Sequence, residues 1–218
     1  MVGVRFIGRL GNNMFQRSAV IGYARKYNVG YTFSQDMDYP IYKEKCFEYT
    51  EIPYFNNVKL SGYFQSEKYF NHCKEEIIDY FTKDWNRTPI NKISIHVRRG
   101  DYCNIECHPV VTIEYLNDAI ERFKKIGYKD KDFLVFTDDK TWCRDNLPYE
   151  IAEGNELEDL ELMSRCEHHI ISNSSFSWWG AYLGVNKSKV VIAPKLWFAG
   201  SKKDINVSDL YCQGWIVI

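Results

Sequence analysis

The chain has 218 residues, and no apolar run in it approaches the ~20 residues that cross a bilayer. The apolar stretch at Met1–Gly8 is too short for a signal peptide, so a cytoplasmic protein is the expectation, with peripheral contact to a membrane surface left open. Net charge is also nearly absent: 28 Lys and Arg against 29 Asp and Glu leave −1. That balance excludes the basic footprint of a general nucleic-acid binder, so any anion must be held locally. The 7 cysteines are odd in number and irregularly spaced, which argues against a disulfide framework and for a reducing compartment. Glycosylation triplets begin at Asn86, Asn173, Asn186 and Asn206, and without a secretory route they read as chance. Internal repeats and low-complexity tracts are missing, as is the three-glycine dinucleotide fingerprint.

What remains is the composition of an ordinary globular protein, 45% hydrophobic and 26% charged, long enough to bury a substantial core. Aromatics make up 16%, including 16 Tyr and 6 Trp. They suit core packing, and they also suit stacking on sugar rings or bases.

Residues 1–7 read as a buried strand, Gly8–Gly11 as a turn and Asn12–Tyr27 as a helix with Met14, Phe15, Ala19, Ile21 and Ala24 near helical spacing. From Tyr31 to Tyr63 the pattern is irregular, and Ser66–Lys83 reads as helical. After Pro89 the alternation becomes regular. Strands are expected at Ile93–Val97, Phe133–Thr137, His169–Ser172 and Val190–Ala193, with helices at Thr112–Lys125, Lys140–Asn146, Glu156–Cys166 and Ser175–Leu183. Such alternation predicts an α/β fold with a doubly wound parallel sheet in residues 89–218, and residues 1–88 then form a smaller lobe.

Three strand-to-turn junctions carry candidate chemistry. In Ser94–Asp101, alternation sends His96 and Arg98 to one face, and Arg99, Gly100 and Asp101 leave the strand at its carboxyl end. Ligands of open α/β sheets bind at that end, and guanidinium groups match phosphate oxygens in pairs. A pyrophosphate site and a surface Arg–Asp salt bridge both fit, and an Arg-Gly-Asp adhesion tripeptide is a remote third reading. In the second junction, Ile170–Ala181, Ser174 or Ser175 can cap a helix whose free N–H groups attract an anion, although an ordinary capped core helix fits equally. In the third, Phe6–Asn13, Gly8 and Gly11 permit close approach of a ligand.

Other candidates point to structure. Asp138-Asp139 lacks the spaced Asp-x-Asp of a metal site and sits where a helix cap belongs. Cys103, Cys107 and His108 lack the fourth ligand of a zinc set, and His168 and His169 have no evident partners.

Taken in order, these segments resemble the inverting α-1,2-fucosyltransferases that use GDP-fucose. The resemblance rests on Gly8–Gln16, Gly62–Phe70, His96–Tyr102, Phe136–Asp139, Asp159–Ser164, Asn173–Ala181 and Ile192–Lys195. It implies a two-lobed B-type glycosyltransferase fold, with the donor site in the C-terminal lobe and transfer of L-fucose to a sugar hydroxyl, the 2-hydroxyl of a terminal galactose being the natural target. The acceptor would be an oligosaccharide or glycolipid, and neither a metal nor another cofactor is implied. Arg98 would be the essential pyrophosphate contact, with His96, Arg99, Asp159, Ser174, Ser175 and Phe176 around the nucleotide. Gly11 and Asn12 would approach the donor from the N-terminal lobe. Asp101 is a weak candidate for the general base. Two departures stand out: Asn13 replaces the family's usual Gln, and the segment between the first helix and Gly62-Tyr63-Phe64-Gln65 is shortened, which weakens inference about the acceptor more than about the donor. A nucleotide-sugar-binding protein without catalysis, or a transferase of another nucleotide sugar, are the competing readings.

Overall fold

The structure, a computed structural model, describes residues 1–45 and 47–218. It divides into two compact units, Met1–Lys83 with Asn206–Cys212, and Asp84–Ile205 with Gln213–Ile218. The division therefore falls five residues before the boundary expected at 88/89, because residues 84–89 are tied into the second unit. The Asn86 amide donates to Glu161 Oε1 at 3.1 Å, Arg87 Nη1 to the Leu183 carbonyl at 2.9 Å, and Arg165 Nε to the Thr88 carbonyl at 2.8 Å. Residues 206–212 return to the first unit, where Asp209 accepts from the Tyr49 amide at 2.8 Å and pairs with Lys68.

In the first unit, strand β1 (Val2–Arg5) leads into helix α1 (Leu10–Tyr27), followed by β2 (Ile41–Lys43), β3 (Val58–Ser61) and helix α2 (Lys74–Thr82). The three strands form a parallel sheet in the order β1-β3-β2. Val2, Val4, Leu60, Phe15, Val20 and Ile21 fill the core. Helix α1 starts at Leu10 rather than Asn12, so Gly11 and Asn12 lie in its first turn, and Gly8, at φ 79°, supplies the left-handed turn. Gln16 is fully buried and bridges the loop before the helix: Nε2 donates to the Ile7 carbonyl at 2.9 Å, and Oε1 accepts from the Ile7 amide at 3.1 Å. The stretch expected to be one helix over 66–83 is broken into two 3-10 turns, Glu67–Tyr69 and Asn71–Cys73, before α2 begins.

The second unit contains β4 (Ile90–Val97), α3 (Ile113–Lys125), β5 (Phe133–Thr137), α4 (Lys140–Asn146), β6 (Glu150–Ile151), α5 (Glu156–Arg165), β7 (Cys166–Ile170), α6 (Ser175–Tyr182), β8 (Val191–Ala193) and β9 (Ile216–Val217). Its sheet is parallel throughout, in the order β6-β5-β4-β7-β8-β9. Strand alternation sorts the two faces. Ile93, Ile95, Val97, Phe133 and Val135 pack under Leu116, Ile120 and Phe123 of α3, while Leu134 and Phe136 on the opposite face pack with Met163 of α5 and Phe176 of α6. Helices thus cover both faces, the doubly wound arrangement expected from the alternation. Among the described residues, no helix is long and apolar enough to cross a membrane.

Candidate functional site

The strand order of the second unit reverses direction at β4: β5 and β6 follow on one side, β7, β8 and β9 on the other. Such a reversal opens a crevice at the carboxyl ends of the two strands that flank it, the usual ligand position in doubly wound sheets. Residues at the ends of β4 and β7 are therefore the candidates to line a site, and a hydrogen bond joins the two ends. His96, near the end of β4, lies 2.6 Å through Nδ1 from Oγ of Ser172, just past β7. Its ring sits 5.3 Å from that of Phe176 in α6. Burial, reinforced by the Arg98 charge, holds the His96 imidazole down to about 3, so it is neutral at physiological pH and can offer an N–H or a lone pair but no charge.

Arg98 follows β4, with its side chain 17% exposed. Nη1 meets Asp138 at 2.9 Å, Nη2 meets Asp101 at 2.5 Å, and the guanidinium lies 5.2 Å from the Tyr102 ring. Nε is buried and, among the described residues, has no hydrogen-bond partner. A buried guanidinium N–H left open in this way is a donor awaiting an acceptor, because desolvating such a group without a partner is unfavourable. Arg99 turns elsewhere: Nε pairs with Asp139 at 3.1 Å and the guanidinium packs 4.2 Å from the Trp142 ring. Asp139 also caps α4, accepting from the Trp142 amide at 3.0 Å, which is the capping role read from the sequence. Asp138 accepts from the Arg99 amide at 2.8 Å, and a side chain at position 100 would meet its carboxylate at 2.4 Å, so Gly100 is required for the loops to approach.

On the β7 side, Ser174 caps α6 by accepting from the Phe176 amide at 3.3 Å, and Ser175 opens the helix. The N-terminal end of α6 thereby lies at the same sheet edge as His96 and Arg98. Trp178 and Trp179 are fully buried, the packing role open to them from sequence. Asp159 stands in the first turns of α5, after β6 at the far end of that edge. Among the described residues its buried Oδ1 makes no hydrogen bond of good geometry, and burial pushes its carboxyl above the usual range against the opposing pull of Lys140 and the Gly154 amide. Among the described residues, no hydrogen bond joins it to His96 or Arg98.

In the first unit, Gly11 is buried within α1, whereas Asn12 accepts from Gln65 Nε2 at 2.7 Å, joining two of the sequence motifs. Asn13 donates to the Gly8 and Arg9 carbonyls at 3.3 and 3.0 Å, so it holds the turn that opens the helix. Ser172, Asp138 and the rings of Tyr102 and Trp142 were not singled out as site residues by the sequence. Asp138 is recoverable from topology alone: Val97 pairs with Thr137 at the ends of β4 and β5, so the residues that follow the two strands, Arg98 and Asp138, are adjacent.

Residues 25–218 match the description of Glycosyl transferase family 11. The chain belongs to that family. This family 11 protein is 36% identical over 188 residues to an alpha-1,2-colitosyltransferase of Escherichia coli, covering 74% of this chain and 63% of that one. It is 36% identical over 138 residues to the E. coli O-antigen biosynthesis glycosyltransferase WbnK (58% and 44% covered). To the galactoside alpha-(1,2)-fucosyltransferase 2 of Sus scrofa it is 28% identical over 155 residues (58% and 45% covered). The family 11 chain thus spans between 44% and 63% of the length of these relatives.

Proposed function

We propose that the chain transfers L-fucose, with inversion, from GDP-fucose to a sugar hydroxyl, the 2-hydroxyl of a terminal galactose being the preferred target. The observation that carries this reading is the β4/β7 edge, where neutral His96 is bonded to Ser172 beside an Arg98 whose buried Nε has no partner. Fucosyl transfer breaks the bond from the anomeric carbon to a pyrophosphate oxygen, so negative charge grows on GDP while the sugar becomes oxocarbenium-like. A fixed guanidinium at that oxygen stabilises the change without a metal, and one such preorganised contact is worth about 3 kcal/mol. The N–H groups at the start of α6 supply further donors to the phosphates. His96 and Phe176 would contact the nucleotide, and the open Oδ1 of Asp159 suits an N–H of the guanine base. Asp101, already committed to Arg98 at 2.5 Å, is better placed to orient that arginine than to accept the acceptor's proton.

A second donor deserves a direct test, because the E. coli relative at 36% identity is named for transfer of colitose. Colitose is fucose without its 3-hydroxyl, so the two donors differ by one hydrogen-bonding group. Incubation with GDP-fucose or GDP-colitose and a panel of galactose-terminated oligosaccharides, followed by linkage analysis, decides between them. An α-1,2-fucosyl product supports the proposal. Colitosyl product alone reassigns the donor, and GDP binding with no product from any pair leaves a nucleotide-sugar-binding protein.

A further inference from the structure

We infer that the first unit carries a binding site for an acidic sugar of the acceptor glycan, built around Arg17. The inference rests on the reading of this chain as a transferase acting on a glycan. A cavity of about 350 Å³ is lined by Arg17, Tyr80, Phe81 and Lys83, within the size range of small-ligand sites. Arg17 projects from α1 and is held on three sides: its guanidinium lies 4.8 Å from the Phe6 ring and 4.5 Å from the Phe33 ring, and Nη1 donates to the Tyr80 hydroxyl at 3.3 Å.

What it lacks is a carboxylate. Other cations of α1 are paired, Arg25 with Glu76 at 2.5 Å and Lys26 with Glu51 at 2.6 Å, whereas among the described residues no acid lies within ion-pair distance of Arg17. With Nη1 engaged by Tyr80, the Nε and Nη2 hydrogens form the remaining edge, the planar pair that receives a carboxylate two-pronged. The surrounding rings add apolar surface of the kind that stacks against the C–H face of a sugar. Arg17 packs on Phe6, which immediately follows β1, so its guanidinium lies near the carboxyl edge of this unit's parallel sheet, five residues along α1 from Asn12. A cation fixed by aromatic rings at a ligand edge, with Lys83 beside it, selects an anionic group on a sugar: the carboxylate of a sugar acid, or a phosphodiester between sugars.

Equilibrium binding without any GDP-sugar tests this apart from catalysis. The probes are a galactose-terminated trisaccharide containing glucuronic acid, its carboxyl-reduced glucose twin, and the same glucose trisaccharide carrying a phosphodiester. The glucuronate probe is expected to bind about 10-fold more tightly than its twin, the return on one charge-assisted contact. Arg17→Gln should bring the two dissociation constants together, and Tyr80→Phe, which keeps the ring while releasing Nη1, should narrow the gap with an unchanged melting temperature. Tighter binding of the phosphodiester probe, again lost in R17Q, identifies phosphate as the source of the anion. Equal affinity of all three probes for the wild-type chain, or a preference that survives R17Q, overturns the inference. Preserved acidic preference with no transfer from any donor would instead leave the site standing and remove the transferase reading.

Discussion

Arg98→Lys separates geometry from charge at the sheet edge where the donor is proposed to bind. The native guanidinium meets Asp138 through Nη1 at 2.9 Å and Asp101 through Nη2 at 2.5 Å, with Nε still open. A lysine keeps the positive charge but concentrates it at one nitrogen, which cannot span both carboxylates and also present a flat two-donor edge to a phosphate. The side chain is only 17% exposed, so water is a poor substitute for the lost donors. Removing one preorganised donor at a developing charge lowers kcat by about 100-fold or more, about 3 kcal/mol, and that loss is expected here. The assay is steady-state GDP release at saturating acceptor, giving kcat and KM for GDP-fucose, with calorimetric GDP affinity and melting temperature measured alongside. Loss of kcat in a folded variant supports the leaving-group role. A folded R98K enzyme within about threefold of wild-type kcat/KM would refute it, since charge alone would then suffice.

Asp101→Asn removes the charge that holds Nη2 of Arg98 and weakens that contact, and a higher KM for the donor with an unchanged pH profile of kcat is expected; a fall of about 10³ in kcat together with loss of the basic group from that profile would make Asp101 the general base. Gly22→Ala would place Cβ 2.2 Å from the Tyr69 backbone carbonyl, which cannot yield easily, so a cost of roughly 1–3 kcal/mol in the first unit is expected. Gly180→Ala meets the flexible Met163 Sδ at the same 2.2 Å and should cost less; equal losses by chemical denaturation would contradict this reasoning. His96 and His169 are both held down to about 3 by burial, whereas an unfolded histidine titrates near 6.5, so the unfolded chain takes up protons that the folded chain refuses. Stability should therefore fall as pH drops from 7.5 to 5.5, by roughly 1 kcal/mol for each histidine, and a flat profile over that interval would be inconsistent with two neutral buried imidazoles. Finally, EDTA should leave transfer unchanged; abolition with rescue by manganese would displace Arg98 from its proposed role.

The second unit was legible where its elements are long and punctuated. The hydrophobic strand cores Ile93–Val97 and Phe133–Thr137, and α3 with its Thr112 cap, stand out by alternation and spacing. Four strands did not: β6 and β9 have two residues each, too few for a period to register, and β2 and β3, with three and four, lie in the irregular Tyr31–Tyr63 stretch, whereas the equally short β1 and β8 stand out as continuous apolar runs. The start of α1 expected at Asn12 falls two residues late because Arg9 at its cap makes no side-chain hydrogen bond and so leaves no capping signature. The passage from α5 to β7 occurs between Arg165 and Cys166 without a glycine or proline to mark it, so the helical pattern in the sequence runs on through Cys166. At the site, His96 and Arg98 could be seen in one segment. Their partners Ser172 and Asp138 could not, because each comes from a neighbouring strand whose adjacency is a property of the topology.

The charges at that edge bear on how an anion could enter it. Two guanidiniums face three carboxylates, Asp101, Asp138 and Asp139, so attraction by local net charge cannot be the source of affinity. The three acids are not equally exposed. The Asp101 side chain, on a short 3-10 turn, is 46% exposed, against 27% for Asp138 and 32% for Asp139, which accept from the Arg99 and Trp142 amides. Asp101 is therefore the group a pyrophosphate displaces most readily, and Nη2, once released, joins the open Nε to form the two-pronged edge that matches a phosphate. Asp138 keeps Nη1 throughout and holds the plane of the guanidinium. Read this way, the carboxylates contribute orientation and Asp101 covers the donor edge of Arg98 until the diphosphate arrives, so affinity comes from aligned hydrogen bonds rather than from accumulated positive charge.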